Sequence, residues 1–231
     1  MKIAMWSGPR NLSTAMMYAF GNRLDFAAWD EPFYAAYLAR GGSDHPMREE
    51  IIAAHDSDAA SVAQRCAGPV PDGKPHWYQK HMSLHMEGFP LDWAATCVNV
   101  HLIRHPARVI ASYSAKRENP TLADIGFVQQ AEFFDRFPGP VIDSADVRRD
   151  PEGMLRKLCE AIDLEFDPAM LAWQAGPRPY DGIWASHWYG VVHGSTGFAG
   201  AEGPLPELTG DAATLCEAAL PYYEKLAKLK L

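Results

Sequence analysis

Two short segments of the sequence carry residue types suited to binding an anion. The first, residues 7–14, follows an apolar run and combines a Gly-Pro turn, an arginine and two hydroxyl residues. Its members in order are Ser7, Gly8, Pro9, Arg10, Asn11, Leu12, Ser13 and Thr14. A strand, a loop and the start of a helix place backbone N–H groups, the helix dipole and a cation around one phosphate or sulfate. We therefore predict an anion site here, with Arg10 as its cation.

A second segment repeats this arrangement further along the chain. An apolar run at residues 98–103 is followed by Arg104, by Pro106 at the position typical of a first helical turn, and by Ser112 two turns later. A single phosphate site is a common feature of enzymes. Two such sites on separate strand ends indicate a ligand that carries phosphates at both ends.

The first loop differs from the ATP-binding P-loop. That motif ends in Gly-Lys followed by Ser or Thr, so that the lysine reaches the β- and γ-phosphates and the hydroxyl holds magnesium. Here Arg10 stands in the middle of the loop and Leu12 takes the place of a Gly-Lys pair. Residues 7–14 instead resemble the 5′-phosphosulfate loop of sulfotransferases that use 3′-phosphoadenosine 5′-phosphosulfate (PAPS). Arg104 and Ser112 resemble the 3′-phosphate site of the same family.

The resemblance covers roughly residues 1–170, because residues 141–147 and 150–166 are similar to the family's strand, acidic turn and packing helix. It implies an α/β fold, a P-loop NTPase-like doubly wound parallel sheet flanked by helices. The length of 231 residues is typical of one domain, so we predict a single domain over residues 1–231. The resemblance also implies transfer of a sulfuryl group from PAPS to a hydroxyl of a small-molecule acceptor, with adenosine 3′,5′-bisphosphate as product and no metal. The alternatives are a P-loop small-molecule kinase or NTPase, and a nucleotide-binding module without catalysis.

Two parts of the family pattern are missing. Larger eukaryotic members place an aromatic residue against adenine after the two hydroxyls, whereas this chain has Ala15 and Met16 there. The C-terminal Arg-Lys-Gly segment that reaches the 3′-phosphate is also absent. A Gly-flanked hydroxyl pair takes its place as a candidate and offers N–H and O–H donors, the alternative being an ordinary surface turn. The residues concerned are Ser195, Thr196 and Gly197.

An acceptor hydroxyl must lose its proton, so the site requires a base, and two residues compete for that role. Glu31 lies between a predicted strand and a helix that starts at Pro32, and its loop resembles one that supplies a glutamate base in some sulfotransferases. His81 follows a predicted strand and resembles a family histidine less closely, but its ordinary pKa suits the task. Lys80 is a further candidate for neutralising the phosphosulfate. His81 and His85 are also four residues apart, the spacing of a zinc pair on a helix, but no third ligand is evident.

Strand and helix patterns alternate along the chain, which favours a doubly wound parallel sheet. The predicted strands are residues 2–6, 25–29, 77–80, 98–103 and 140–143. The predicted helices are residues 13–20, 32–39, 49–66 with a break near 56, 106–116, 122–136, 151–162 and 212–228. Ligands of such sheets bind at the carboxyl ends of the strands, where both anion motifs fall.

Composition narrows the partners and the compartment. The chain has 231 residues and a net charge of −8, which argues against nucleic-acid or anionic-membrane partners. Its four cysteines are widely spaced, a pattern typical of free thiols in a reducing compartment. With no signal peptide or long apolar run, the expected location is cytoplasmic.

Aromatic residues cluster between positions 173 and 198. They belong either to loops around an apolar acceptor cleft or to a core.

Overall fold

The centre of the molecule is a five-stranded parallel β-sheet. It is seen in a computed structural model that describes residues 1–41, 45–114 and 120–231. The strands run in the order β2-β3-β1-β4-β5, and each neighbouring pair is parallel. Their bounds are β1 Lys2–Ser7, β2 Phe26–Asp30, β3 His76–Met82, β4 Val98–Ile103 and β5 Val141–Asp143. The predicted fold class and all five predicted strands are therefore confirmed.

Helices flank the sheet on both faces. Their bounds are α1 Ser13–Gly21, α2 Tyr34–Ala39, α3 Arg48–Ala54, α4 Ala59–Ala67, α5 Pro106–Ser114, α6 Leu122–Ile125, α7 Phe127–Arg136, α8 Ser144–Arg149, α9 Pro151–Ala161, α10 Ala185–Trp188, α11 Gly190–His193 and α12 Gly210–Ala227. The predicted break near residue 56 separates α3 from α4. A second break at Gly126, which has a left-handed φ of 70°, divides the helix predicted at 122–136. The predicted end of the 106–116 helix lies outside the described residues.

The two faces of the sheet bury different sets of side chains, because successive residues of a strand point to opposite faces. Ile3 and Met5 of β1 lie in the core cluster that includes α1 and α9. Ala4 and Trp6 lie in a second cluster with residues of α4 and α7. The same alternation sends Lys80 and His81, which are adjacent in β3, to opposite faces. That separation decides which of them reaches the candidate site.

The aromatic residues between positions 173 and 198 belong mostly to the first core cluster. Trp173, Trp184 and Tyr189 are buried in it, and Tyr180, Trp188 and Phe198 pack against it. The interpretation as core is therefore confirmed over that of an open cleft. Within the described part of the chain, no helix has the length and apolar character needed to cross a membrane.

Candidate active site

The loop after β1, predicted to bind an anion, has an unusual backbone conformation. Arg10 and Leu12 adopt left-handed conformations, with φ of 60° and 72°. Such values are uncommon for residues other than glycine and are found mainly where the surrounding structure imposes them, often at functional sites. The side-chain amide of Asn11 donates a 3.1 Å hydrogen bond to the carbonyl of Leu102 in β4, which holds the loop against the neighbouring strand. Helix α1 then begins at Ser13, so its N-terminus faces the loop.

Gly8 lets this loop pack closely under α6. A Cβ atom at position 8 would lie 2.9 Å from the backbone oxygen of Ile125, closer than such atoms approach in practice. Gly126, directly after α6, also lies against the loop, since its own Cβ would come within 3.7 Å of the Cα of Gly8. The glycine predicted from the sequence therefore serves a close backbone contact at the site.

The two predicted anion motifs are joined by direct hydrogen bonds. Nε of Arg10 donates to Oγ of Ser112 in α5 at 2.9 Å, and Nη1 of Arg104 donates to the backbone carbonyl of Arg10 at 2.6 Å. These contacts follow from the register of the sheet, which pairs Ser7 at the end of β1 with Leu102 near the end of β4. Burial and then the nearby Arg104 cation lower the pKa of Arg10. Parts of the chain about a hundred residues apart thus form one cationic surface at the carboxyl edge of the sheet.

A buried charged cluster lies at the end of the neighbouring strands. Nζ of Lys80 donates to Oδ1 of Asp30 at 2.9 Å, to Oε1 of Glu31 at 2.5 Å and to the hydroxyl of Tyr189 at 2.6 Å. These bonds use all three donors of the ammonium group. Burial opposes the charge, yet the carboxylates of Asp30 and Glu31 raise the pKa of Lys80. Lys80 therefore lies at the site, with its ammonium already engaged by protein groups.

Glu31 is the strained member of this cluster. Its φ is 38°, in the left-handed region, and the residue is buried. Burial raises the pKa of Glu31, the Lys80 cation opposes this, and the adjacent Asp30 carboxylate adds to the rise. Its second oxygen, Oε2, lies 3.8 Å from Nδ1 of His85. A carboxylate so placed binds a proton more readily than an exposed glutamate does.

A small cavity opens beside Glu31. Its volume is about 200 Å³, and its walls carry acidic, basic and aromatic side chains but little exposed apolar surface. The lining residues are Trp29, Asp30, Glu31, Pro32, Ala54, His55, Asp56 and Arg65. The Arg65 guanidinium lies over the ring of Trp29, 4.5 Å from its centroid. The cavity therefore suits a small polar molecule held next to the Glu31 carboxylate.

His81 is not brought to this site. Its ring stacks on Trp6 with 4.8 Å between centroids and packs against Trp93, two residues of the second core cluster, on the opposite face from Lys80. The residue is 1% exposed, and burial lowers its pKa to about 3. It also lies on β3, whereas His85 lies in the short 3₁₀ helix Ser83–Met86, so the two are not a zinc pair on one helix.

The Gly-flanked hydroxyl pair is hydrogen-bonded to nearby segments of the same protein chain. Oγ of Ser195 donates to the carbonyl of Val192 at 2.7 Å and accepts from Nε1 of Trp173 at 3.2 Å. The carbonyl of Thr196 accepts from the backbone N–H of Trp173, and Gly197 forms an isolated antiparallel bridge with Ala172. These bonds match the turn interpretation, and the segment leads directly into Glu202, which contacts Arg104.

Several residues of this site were not predicted from the sequence. Asp30 was visible as the neighbour of Glu31, and Tyr189 only as one of many aromatic residues. Glu202 gave no local signal at all. Across residues 1–41, 45–114 and 120–231, no three or more His, Cys, Asp or Glu side chains are grouped to hold a metal ion.

The architecture is that of the P-loop-like α/β proteins, with the loop at residues 8–12 between the central strand and the first helix. The chain belongs to the sulfotransferase domain family, whose model matches residues 1–229. Two solved structures share the fold, each with a TM-score of 0.50. The sulfotransferase domain of the Synechococcus PCC 7002 olefin synthase is 19% identical, with 94% of both chains covered. The sulfotransferase domain from the curacin biosynthetic pathway is 14% identical, with 95% of this chain and 97% of that chain covered.

Two plant proteins are similar in sequence. Branched-chain-amino-acid aminotransferase-like protein 1 of Arabidopsis thaliana is 34% identical over 230 residues, which are 97% of this chain and 41% of that protein. Branched-chain-amino-acid aminotransferase-like protein 2 of the same plant is 34% identical over 203 residues, which are 85% of this chain and 36% of that protein. The chain thus spans about two fifths of the length of these curated relatives. Membership in the sulfotransferase domain family supports an enzyme that transfers sulfate.

Proposed function

We propose that this chain transfers the sulfuryl group of PAPS to a hydroxyl of a small polar acceptor. The observation that carries the proposal is the direct linkage of two anion motifs, through the bonds of Arg10 to Ser112 and of Arg104 to the Arg10 carbonyl. A ligand with a 5′-phosphosulfate and a 3′-phosphate supplies one anion to each motif. ATP supplies a chain of phosphates to a single loop.

Arg10 and the loop act on the donor. In the reaction the acceptor oxygen attacks sulfur, the bond from sulfur to the bridging oxygen breaks, and the electron pair stays on the 5′-phosphate. Negative charge therefore grows on that phosphate, next to the Arg10 guanidinium and the N-terminus of α1. Fixed cations and N–H donors at the position of developing charge lower the barrier most effectively. The remaining cofactor-binding candidates, from Gly8 to Thr14, shape this loop.

Glu31 is the proposed base, and it takes the proton that the acceptor hydroxyl loses. Glu31 lines the cavity, and burial raises the pKa of its carboxyl group, which makes it a stronger base than an exposed glutamate. Lys80 holds Glu31 in place and balances one of the two buried carboxylates. We therefore assign Lys80 a positioning role. His81 lies on the other face of the sheet and takes no part in the proton transfer.

The acceptor is proposed to occupy the cavity beside Glu31. Its wall carries both signs of charge, Asp56 and Arg65 among them, which suits an acceptor that has an amine and a carboxylate as well as its hydroxyl. The similar plant proteins are named as aminotransferase-like proteins for branched-chain amino acids. We accordingly propose hydroxylated amino acids and amino alcohols as the first acceptor classes to test.

Calorimetric titration tests the donor. Adenosine 3′,5′-bisphosphate without metal is expected to bind more tightly than AMP and than ATP with magnesium. Tighter binding of ATP with magnesium would favour a kinase or NTPase instead. Release of the bisphosphate from PAPS in the presence of hydroxylated amino acids then measures turnover. Binding without turnover across the acceptor panel would favour a nucleotide-binding module without catalysis.

Three further predictions from the sequence stay predictions. They are a single domain over residues 1–231, a cytoplasmic location and the lack of a metal requirement.

A further inference from the structure

Three arginines converge on the single carboxylate of Glu202. Nη2 of Arg104 donates to Oε1 of Glu202, and Nη1 of Arg148 donates to the same oxygen at 2.8 Å. Nε of Arg108 lies 2.9 Å from the other oxygen, Oε2. The arginines come from the end of β4, from α5 and from α8, and they meet at the carboxyl edge of the sheet. The Glu202 side chain is only 3% exposed.

The charges in this cluster do not balance. Three guanidinium groups surround one carboxylate, so the cluster keeps an excess of two positive charges. A phosphate monoester carries about −1.5 to −2 charges at neutral pH and three acceptor oxygens, and arginine forks match those oxygens well. The nearest acidic residue in α8, Asp146, pairs with Arg149 and Lys230. The cluster therefore fits a phosphate dianion better than it fits the carboxylate it holds.

The segment that carries Glu202 has little other attachment. Residues 199–201 and 203–205 are exposed, and only the glutamate between them turns inward. Apart from chain neighbours, no described atom lies within 4 Å of a Cβ placed at Gly200 or Gly203. The arginines also hold this backbone, because Nε of Arg148 donates to the Gly200 carbonyl at 2.9 Å and Arg108 donates to the Gly203 carbonyl. The segment can thus leave the cluster without disturbing the apolar core.

We propose that Arg104, Arg108 and Arg148 bind a phosphate monoester and that Glu202 occupies their site until the phosphate displaces it. The identity of that phosphate, the 3′-phosphate of the donor nucleotide, rests on the proposed function above. Arg108 and Arg148 then join Arg104 in selecting a 3′-phosphorylated nucleotide. Glu202 acts as a built-in competitor that weakens nucleotide binding and releases the segment at residues 199–205 when the donor arrives.

Opposite effects of two substitutions on nucleotide affinity test this proposal. Glu202→Gln removes the competing charge and is expected to tighten binding of adenosine 3′,5′-bisphosphate about tenfold, the scale of a charge-assisted hydrogen bond. Arg148→Ala is expected to weaken it by a similar factor. AMP affinity should change little in either variant, because AMP lacks the 3′-phosphate. Glu152→Gln and Arg156→Ala, an exposed ion pair of α9, are matched controls and should bind like the wild type.

If Glu202 has only a structural role, the effect of Glu202→Gln on bisphosphate affinity has the opposite sign. If the carboxylate serves to hold the arginines in place, Glu202→Gln weakens bisphosphate binding as Arg148→Ala does, and the proposal is overturned. Glu202→Asp keeps the charge but shortens the side chain, and the competitor interpretation expects an intermediate gain in affinity. This second variant retains the test should Glu202→Gln fold poorly.

Inorganic phosphate separates this proposal from the proposed function. Phosphate, compared with sodium chloride of equal ionic strength, should raise the melting temperature of Glu202→Gln more than that of the wild type, and the gain should disappear in Glu202→Gln/Arg148→Ala. Equal shifts in the wild type and Glu202→Gln overturn the anion site. If the bisphosphate binds no better than AMP while this phosphate effect is present, the PAPS assignment fails and the arginine site stands.

Discussion

The guanidinium of Arg104 donates a hydrogen bond of 2.6 Å to the backbone carbonyl of Arg10. The residue that receives it has a left-handed φ of 60°, so the second anion motif helps to hold the strained backbone of the first. The two predicted anion motifs are therefore connected by a direct hydrogen bond. A substitution at one motif is expected to affect nucleotide binding at the other.

Arg104→Ala should weaken nucleotide binding at both motifs, but unequally. Loss of a charge-assisted contact to the 3′-phosphate is expected to cost on the order of 1 to 3 kcal/mol of binding free energy for the bisphosphate. AMP should lose less, because only the support of the loop is removed. Calorimetry with both nucleotides measures the difference. An identical loss for AMP and the bisphosphate would show that Arg104 supports the loop and does not contact the 3′-phosphate.

Arg10→Ala should lower turnover more than affinity. If its cation stabilises charge that develops only in the transition state, kcat at saturating donor is expected to fall about 10²- to 10³-fold. Arg156→Ala is the matched control, since it removes an exposed arginine cation that pairs with Glu152 in α9. Single-turnover rates and donor affinities of the two variants are to be compared. A pure binding defect in Arg10→Ala, with normal kcat at saturation, contradicts the assignment.

Glu31→Gln and His81→Gln should differ sharply in rate. Replacing the base is expected to cost roughly 10² to 10⁴ in rate with nucleotide affinity nearly unchanged, so Glu31→Gln should show this loss. His81→Gln should keep the rate, because the ring lies in the core on the other face. Single-turnover assays with an identified acceptor make the comparison. A loss of less than about tenfold in Glu31→Gln would mean that another group, or no protein base, takes the proton.

Lys80→Met should destabilise the fold as well as slow the reaction. The substitution leaves Asp30 and Glu31 buried without their shared cation, and breaking a buried ion pair from one side costs about 3 to 5 kcal/mol of unfolding free energy. Lys225→Met is the matched control, because Lys225 pairs with Asp135 on the surface and surface pairs contribute little. Urea denaturation measures both. The triple variant Asp30→Asn/Glu31→Gln/Lys80→Met should recover part of the stability, and no recovery would show that the cluster charges are not the cause.

The sheet and the position of the loop after β1 were predictable because their signals are local. Short apolar runs ending in polar turns place the strands, and the turn at residues 7–14 carries its own arginine and hydroxyls. The order of the strands then brings Arg104 beside Arg10 without any further sequence signal. The helix at 122–136 was predicted as continuous because its apolar pattern passes through Gly126, where the backbone turns left-handed.

The partners of Lys80 were not predictable in the same way. Its bond to Tyr189 joins residues 109 positions apart, and that between Arg104 and Glu202 spans 98. Such pairings depend on how loops return to the sheet, which neither periodicity nor local spacing records. The opposite facing of Lys80 and His81 could have been inferred by continuing the predicted strand one residue further and applying its alternation.

The stability of the fold should fall as the pH decreases from neutral toward 5, because buried histidines are neutral in the folded chain. Burial lowers the pKa of His81 to about 3, and burial, partly offset by a hydrogen bond to the Phe137 carbonyl, lowers that of His101 to about 4. Their ordinary value is 6.5. Between pH 6.5 and these lowered pKa values, only the unfolded chain takes up protons on the two histidines. Their contribution to the unfolding free energy is therefore present in full above pH 6.5 and is lost as the pH falls toward the pKa values of the folded chain. Each histidine contributes a slope of up to about 1.4 kcal/mol of unfolding free energy per pH unit.

His81→Gln should flatten the slope of unfolding free energy against pH by about one such contribution between pH 6.5 and 5, measured by urea denaturation at several pH values. The raised pKa of Glu31 acts in the opposite direction, but it is common to both proteins and cancels in the comparison. His187→Gln, at an exposed position, is expected to keep the wild-type slope, and an unchanged slope in His81→Gln would show that His81 is not protonated on unfolding.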